Sequence, residues 1–371
     1  MKAKYQRCLF ALSSCSLCIM FAQVLAAQTW TAAGPVPRAY HSAVLDPTTN
    51  KMIVFGGLPG PAVTHGTQNL NDVWRFNVAG KSWSQVTIKG APAPRFGHSA
   101  IYDSVNNRMI VFGGAEGRSS PCENDVWVLT NASGRSGGGT SAWTQLPITG
   151  NAPAPRTQHG AVYDPATNSM IVYGGQDCFS TVFDDVWVLS NANGIGGAPS
   201  WTQLSTSGTQ PPASEIEQSI AYDPSSNRLI TFGNGRSSGV WVLSNANGQG
   251  GTPTWTQLSA SGTAPSARAF NSLVYDRATN RITVFGGQDS TGAILSDTWV
   301  LSNANGTGGT PAWTQIATGS TYFPEARDLH TAVYNSSTNQ MIVFGGEINP
   351  YFDNPELFTN DVFVLTHANG Q

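Results

Sequence analysis

One frame recurs six times along the chain, and its polar positions are where any chemistry would start. Residues 93–103 read A-P-R-F-G-H-S-A-I-Y-D and residues 154–164 read A-P-R-T-Q-H-G-A-V-Y-D, but residues 213–223 read A-S-E-I-E-Q-S-I-A-Y-D. The His column (His41, His98, His159, His330) has the residue type of a metal site. The Arg column (Arg38, Arg95, Arg156, Arg268, Arg327) has that of an anion site. The fourth copy breaks both columns and offers Glu215 and Glu217. Two carboxylates can do acid–base work when their surroundings split their pKa values. With Asp328 and His330 of the sixth copy, they form the candidate catalytic set. Tyr40, Phe96, Gln158, Glu217, Phe270, Glu347 and Tyr351 form the candidate ligand-binding set. Carboxylates among aromatic rings suit a sugar or a basic peptide.

Each column also has a structural reading, and the fourth copy separates the two for Arg. The five repeats that carry Arg also carry Asp before a later strand: Asp72, Asp125, Asp185, Asp297 and Asp361. The fourth repeat has Glu215 in place of Arg and Gly239 in place of Asp. Joint loss favours an Arg–Asp pair within each repeat, with at most a spare N–H left for a ligand. In the His column, Gln218 and Asn271 stand in two copies. A polar side chain satisfying a neighbour explains that better than a metal ring, so no metal and no cofactor is expected. For Glu215 and Glu217 the competing explanation is drift of a single repeat.

The elements that position these residues follow from the repeat. Its period is 53 to 61 residues, and each copy holds four apolar runs of strand character. The first is of the type H-S-A-I-Y-D; the second is M-I-V-F-G-G. The third is D-V-W plus apolar residues, and the fourth is W-T-Q-L. The last copy lacks a fourth run, while Trp30, ahead of the first copy, has an unassigned one. The expected fold is therefore all-β, a closed ring of six blades with four antiparallel strands each. The N-terminal strand would pair in the C-terminal blade, which removes an open sheet edge. The loop before the first strand and the loop between the second and third share one face. Those second-to-third loops vary in length and chemistry. The opposite face carries nearly uniform D-P-x-x-N turns and S-N-A-N-G loops, whose Asn and Gly serve turns.

A Gly-Gly doublet after a β-rich run, followed by D-V-W and a spaced Trp, resembles the kelch repeat. The resemblance covers about residues 28–371 and implies a kelch β-propeller, like the repeats of the galactose oxidase central domain. Kelch propellers are mostly binding scaffolds, so a protein- or glycan-binding module working through the variable loop face is expected. Some exported bacterial kelch propellers are sialic-acid mutarotases, which makes a sugar isomerase the alternative. A copper oxidase resembling galactose oxidase ranks last, because that family uses seven blades and a Tyr–Cys crosslinked copper site.

Bulk properties set the surroundings. Charged residues make up 11% of the chain and the formal net charge is −3, which argues against a nucleic-acid backbone as partner. Residues 1–26 read as a secretory signal: M-K-A-K-Y-Q-R, an apolar run, then V-L-A. Residues 27–371 would be the mature propeller, monomeric, extracytoplasmic and without stable membrane insertion. A lipobox-like L-S-S-C ending at Cys15 gives the alternative of a lipid anchor. The mature chain keeps Cys122 and Cys178, both in loops of the variable face. In an oxidising compartment they form one disulfide between adjacent blades.

Overall fold

The alternating apolar runs become short antiparallel strands, and the strands assemble as six radial sheets. A computed structural model describes residues 34–60, 69–88, 90–117, 120–212, 219–233, 237–317, 323–348 and 357–371, all within one compact unit. Blade two illustrates the plan: Ser99–Asp103, Arg108–Ala115, Cys122–Thr130 and Ala142–Gln145 pair in that order. Blade six shows Thr331–Asn335, Gln340–Phe344 and Val362–Thr366. Its expected fourth strand, around Trp30, lies outside the described residues. Each first strand touches the first strands of both neighbouring blades, including blade six against blade one, so the inner strands form a closed ring.

The core is six wedges, one in each seam between blades. Five seams share a pattern. An aromatic ring of the second strand meets the fourth-strand Trp of a neighbour at centroid distances of 4.9–5.1 Å: Phe55 with Trp143, Phe112 with Trp201, Tyr173 with Trp255, Phe232 with Trp313 and Phe344 with Trp83. Such tilted or edge-on pairs contribute about 0.5–1.5 kcal/mol beyond the area they bury. In the seam between blades five and six, Phe285, Met341, Val343 and Phe363 line an apolar cavity of about 600 Å³. The repeat assigns Trp30 the corresponding register.

The Gly-Gly doublets are required by a close approach. Register shifts where the second strand passes Gly56 and Gly57. Gly57 has φ +101°, and a Cβ there would lie 2.7 Å from both the Ala39 carbonyl oxygen and the His41 Cβ. Beyond the doublet the second strand pairs again, now with the segment that enters the first strand: Ala39 with Leu58, Phe96 with Ala115, Thr157 with Gln176, Ala269 with Gln288, Asp328 with Glu347. This second ladder carries the residues before each first strand onto the variable loop face.

On the opposite face the uniform loops are staples between blades. The Asp ending each first strand accepts from the Asn of a neighbouring S-N-A-N-G loop: Asn193 to Asp103, Asn247 to Asp164, Asn305 to Asp223 and Asn369 to Asp276, at 2.7–2.8 Å. Blade two has Ser133 in that place, and there Arg135 reaches Asp46 instead. Blade six ends its first strand in Asn335, which donates to Asn50 of blade one. Against the opposing effect of burial, the Ser225 and Ser226 hydroxyls with Asn305 hold the Asp223 carboxyl below its usual range, and Thr279 with Asn369 does so for Asp276.

Candidate functional site

The Arg column sits beneath the variable face as five ion pairs, each guanidinium buried and each carboxylate partly exposed. Arg38 meets Asp72 at 2.8 Å, and Arg95–Asp125, Arg156–Asp185, Arg268–Asp297 and Arg327–Asp361 each meet at 2.6 Å. Each guanidinium is bidentate. Its Nη1 also donates to the first Gly of its own doublet, and its Nε to the carbonyl two residues earlier, as for Arg156 with Gly174 and Ala154. These arginines are 0–1% exposed, so the spare N–H expected for a ligand is out of reach. The Asp carries a further load: it accepts the indole N–H of Trp74, Trp127, Trp187 or Trp299 at 2.6 Å. Blade six has Phe363 there, and Thr359 donates to Asp361 in place of the indole. Blade four has Gly239. Its Trp241 is buried, and the indole N–H has no partner among the described residues. A Cβ at position 239 would collide with that ring.

The His column is a second set of links between blades. His98 bonds Ser42, His159 bonds Ser99, His330 bonds Ser272 and His41 bonds Thr331, at 2.8–2.9 Å. Each imidazole also packs edge-on against a second-strand Phe. Burial, aided by the neighbouring Arg, lowers His98 and His330 to about 3, and holds His41 and His159 well below the ordinary imidazole value. These imidazoles are neutral at pH 7. His330 therefore does not face the central opening as the sequence suggested: it is buried in a seam against Phe285 and Ser272. Among the described residues, no group of three or more His, Cys, Asp or Glu stands close enough to hold a metal ion.

At the mouth of the ring the backbone does something that side-chain identities hide. The residue before each His-column position is left-handed: Tyr40 (φ 54°), Gly97 (62°), Gln158 (58°), Phe270 (56°) and Leu329 (54°). Their amides join blade to blade. Gln158 donates to Gly97, Gly97 to Tyr40, Tyr40 to Leu329, and Leu329 to Phe270. By repeat register Glu217 is the sixth of these positions; Glu215, Glu217 and Tyr351 lie outside the described residues. Bulky side chains adopt this conformation at a cost of about 1–3 kcal/mol each, which the surrounding structure must offset. Of these residues, Tyr40 and Gln158 line the cavity described next. Phe270 and Leu329 are buried in a plug with Ala39 and Ala269, so Phe270 supports the floor and does not line the cavity described next.

Four of the sequence-selected ligand residues do meet. Tyr40, Phe96, Gln158 and Glu347 line one cavity of about 240 Å³ on the variable face. Tyr40 stacks edge-on against both Phe96, at 5.8 Å, and Phe270, at 6.3 Å. Glu347 is 4% exposed, and its backbone is fixed by paired hydrogen bonds with Asp328. Asp328 is itself buried and does not line the cavity. Sequence reasoning missed Gln176, Asp177 and Phe358, which complete the wall. The second ladder was the missing signal for Gln176, since it places the residue immediately after each Gly-Gly doublet beside the mouth. Hydrogen bonds from Thr181 first, and then from the Phe179 backbone N–H, lower the Asp177 carboxyl below its usual range. The Cys122–Cys178 disulfide joins blades two and three, and Cys178 lies on the cavity rim.

Comparison with known proteins gives a consistent picture. A family description of KLHDC2/KLHL20/DRC7 kelch repeats matches residues 20–233, and one of the Attractin/LZTR1 β-propeller matches residues 138–364. The flagellar outer-arm dynein alpha chain of Chlamydomonas reinhardtii is 30% identical over 274 residues, 68% of this chain and 5% of that one. The leucine-zipper-like transcriptional regulator 1 homolog of Drosophila melanogaster is 32% identical over 182 residues, 47% of this chain and 16% of that one. An F-box/kelch-repeat protein of Arabidopsis thaliana is 26% identical over 346 residues, 85% of this chain and 67% of its own length. The chain thus spans only a small part of the first two relatives. Among solved structures, YjhT superimposes with a TM-score of 0.59 at 13% identity, covering 90% of this chain and 96% of that one. A fungal alcohol oxidase in complex with copper reaches 0.56 at 18%, covering 92% and 65%. At such identities both similarities speak to the fold alone.

Proposed function

This chain belongs to the kelch-repeat β-propeller family, whose members commonly bind proteins, and from that premise we propose that it is an exported binding module. Its ligand is a protein, held on the variable face over the Tyr40–Phe96–Glu347 cavity. The carrying observation is convergence: residues of blades one, two, three and six meet at one cavity on the face whose loops differ. The opposite face is occupied by its own staples. Export is supported by the signal-like residues 1–26 and by the disulfide, which persists in an oxidising compartment. The test is a peptide-array screen of the mature chain beside its Phe96→Ala variant. Peptides that bind the parent and are lost on the variant support the reading. Binders indifferent to Phe96 contradict it.

A second reading is glycan binding or sugar isomerisation. The cavity volume, its aromatic walls and the carboxylates of Glu347 and Asp177 suit a single sugar ring. An anomer-exchange measurement by NMR with sialic acid and common hexoses tests it, and unchanged exchange rates at high protein concentration would dismiss it.

A further inference from the structure

Blades three and five carry the same turn on the variable face and give its apex opposite characters. In blade three the Asp177 N–H donates to the Thr181 carbonyl, and the Asp177 carboxylate accepts the backbone N–H of Phe179 at 2.8 Å and of Thr181 at 2.7 Å. In blade five Asp289 makes the same bonds, donating to Ala293 and accepting from Thr291 and Ala293. Phe183 closes one turn on Gly175, as Leu295 closes the other on Gly287. The left-handed corner is Ser180 (φ 88°) in blade three and Gly292 (φ 87°) in blade five. At the apex of blade five the Thr291 hydroxyl gives Asp289 one more bond, at 2.7 Å. Blade three has Phe179 there, which has no hydroxyl to give and is 73% exposed. The turn itself is therefore better served by Thr and Gly than by Phe179 and Ser180. The other large apolar side chains exposed among the described residues have places elsewhere. Phe323 and Val364 line the cavity between blades five and six, and Val105 and Ile195 lie in turns of the uniform face.

We propose that Phe179 is the apolar anchor of the protein contact on this face. The inference rests on the loop-face reading and adds the chemistry of the partner. The partner buries the ring against its own aliphatic or aromatic side chains, beside the part that occupies the cavity. Two observations carry this. Phe179 stands at the rim, because its neighbours Asp177, Cys178 and Ser180 all line the cavity. The loop is also fixed before any partner arrives: the Cys122–Cys178 disulfide ties it to blade two, where blade five has Ser290 in the place of Cys178. Phe183 packs beneath it over the Arg156 guanidinium. An aromatic ring held in place loses little freedom on binding, and a few such rings dominate protein contacts.

The experiment moves the ring between the two matched turns. Peptides selected on the array are titrated into the mature chain, into Phe179→Thr, and into the double variant Phe179→Thr with Thr291→Phe; N-acetylneuraminic acid and methyl glucoside serve as sugar probes. The expected result is that the selected peptides are rich in apolar residues and lose at least tenfold in affinity on Phe179→Thr. The melting temperature of that variant should hold or rise, since the new hydroxyl can bond Asp177 as Thr291 bonds Asp289. The double variant should not recover the binding, although its composition is that of the parent. Affinity within twofold of the parent overturns the proposal, and so does a fall in melting temperature, which would make the ring structural. Recovery in the double variant overturns it as well, because binding would then follow any exposed ring. A sugar probe that binds and is lost on Phe179→Thr reassigns the ring to a glycan and overturns it too. Peptides that need Phe96 but not Phe179 overturn the anchor and leave the loop-face reading standing. Peptides indifferent to both, or no peptide bound by the parent, overturn both.

Discussion

The two faces of this ring are built from the same repeat and spend their polar residues differently. On the uniform face, each first-strand Asp is consumed by a donor from an adjacent blade, as Asp103 is by Asn193. On the variable face, the conserved frame is driven beneath the surface as Arg–Asp pairs, and the residues left at the mouth (Tyr40, Gly97, Gln158, Phe270, Leu329) differ from copy to copy. Sameness marks the side that holds the ring together. Difference marks the side that has chemistry to offer. Blade four sharpens the point from within the variable face: with Gly239 in place of Asp, the Trp241 N–H has no partner among the described residues, so the pair and the indole form a unit.

Acid should break the scaffold most severely. The four buried imidazoles resist protonation while an unfolded chain accepts it near pH 6.5, so the unfolded state binds more protons below that value. Stability is full above about pH 6.5 and falls as pH drops toward 3, with a limiting slope of about 1.4 kcal/mol per pH unit for each histidine. The carboxyls of Asp223, Asp276, Asp297 and Asp361 are also depressed, and their contribution is lost only below about pH 4. Denaturation midpoints should be level from pH 8 to about 6.5 and decline from there to pH 4. A flat profile above pH 5 would mean the imidazoles are solvated.

Next in size is a broken pair. Arg156→Ala strands Asp185 and should cost about 3–5 kcal/mol, whereas Arg156→Met with Asp185→Leu should cost much less. Urea titrations of the single and double variants decide whether the pair is the unit, and equal losses would show that it is not. Reduction of Cys122–Cys178 comes third. The bridge spans 56 residues, and freeing a loop of that length costs about 4 kcal/mol in the chain-entropy account. Because Cys178 edges the cavity, reduction should also weaken ligand binding; a melting curve and a titration with and without reductant report both.

Much of the scaffold was legible in the sequence because it is written in pairs that vary together. Arg and Asp vanish jointly in one repeat, and the two cysteines fall in neighbouring loops. The period exposes the strands, because the second and fourth of each repeat bring aromatic rings to the seams. The partners of the uniform loops were not legible. Asn305 and Asp223 are 82 residues apart, and a local reading of S-N-A-N-G sees only a turn. The mouth was hidden for another reason. A left-handed residue advertises itself when it is Gly, as at Gly97, but Tyr40, Gln158, Phe270 and Leu329 give no such sign. Their conformation is imposed by the amide chain between blades. His330 misled because a His column looks the same whether it binds a ligand or a serine in the next blade.

The smallest effect expected is on the uniform face. Asn305→Ala removes one donor from the buried Asp223 and should cost about 1–3 kcal/mol. Chemical denaturation gives that number, and a loss below about 0.5 kcal/mol would make the staple incidental.

The division of labour between the faces is tested most directly by titrating a peptide selected on the array into Phe96→Ala and Asn305→Ala side by side, with the melting temperature of each recorded. The account predicts a double dissociation. Phe96→Ala loses affinity at least tenfold and keeps most of its stability, while Asn305→Ala loses stability and keeps its affinity. Affinity lost in Asn305→Ala and retained in Phe96→Ala would place binding on the uniform face and contradict the account.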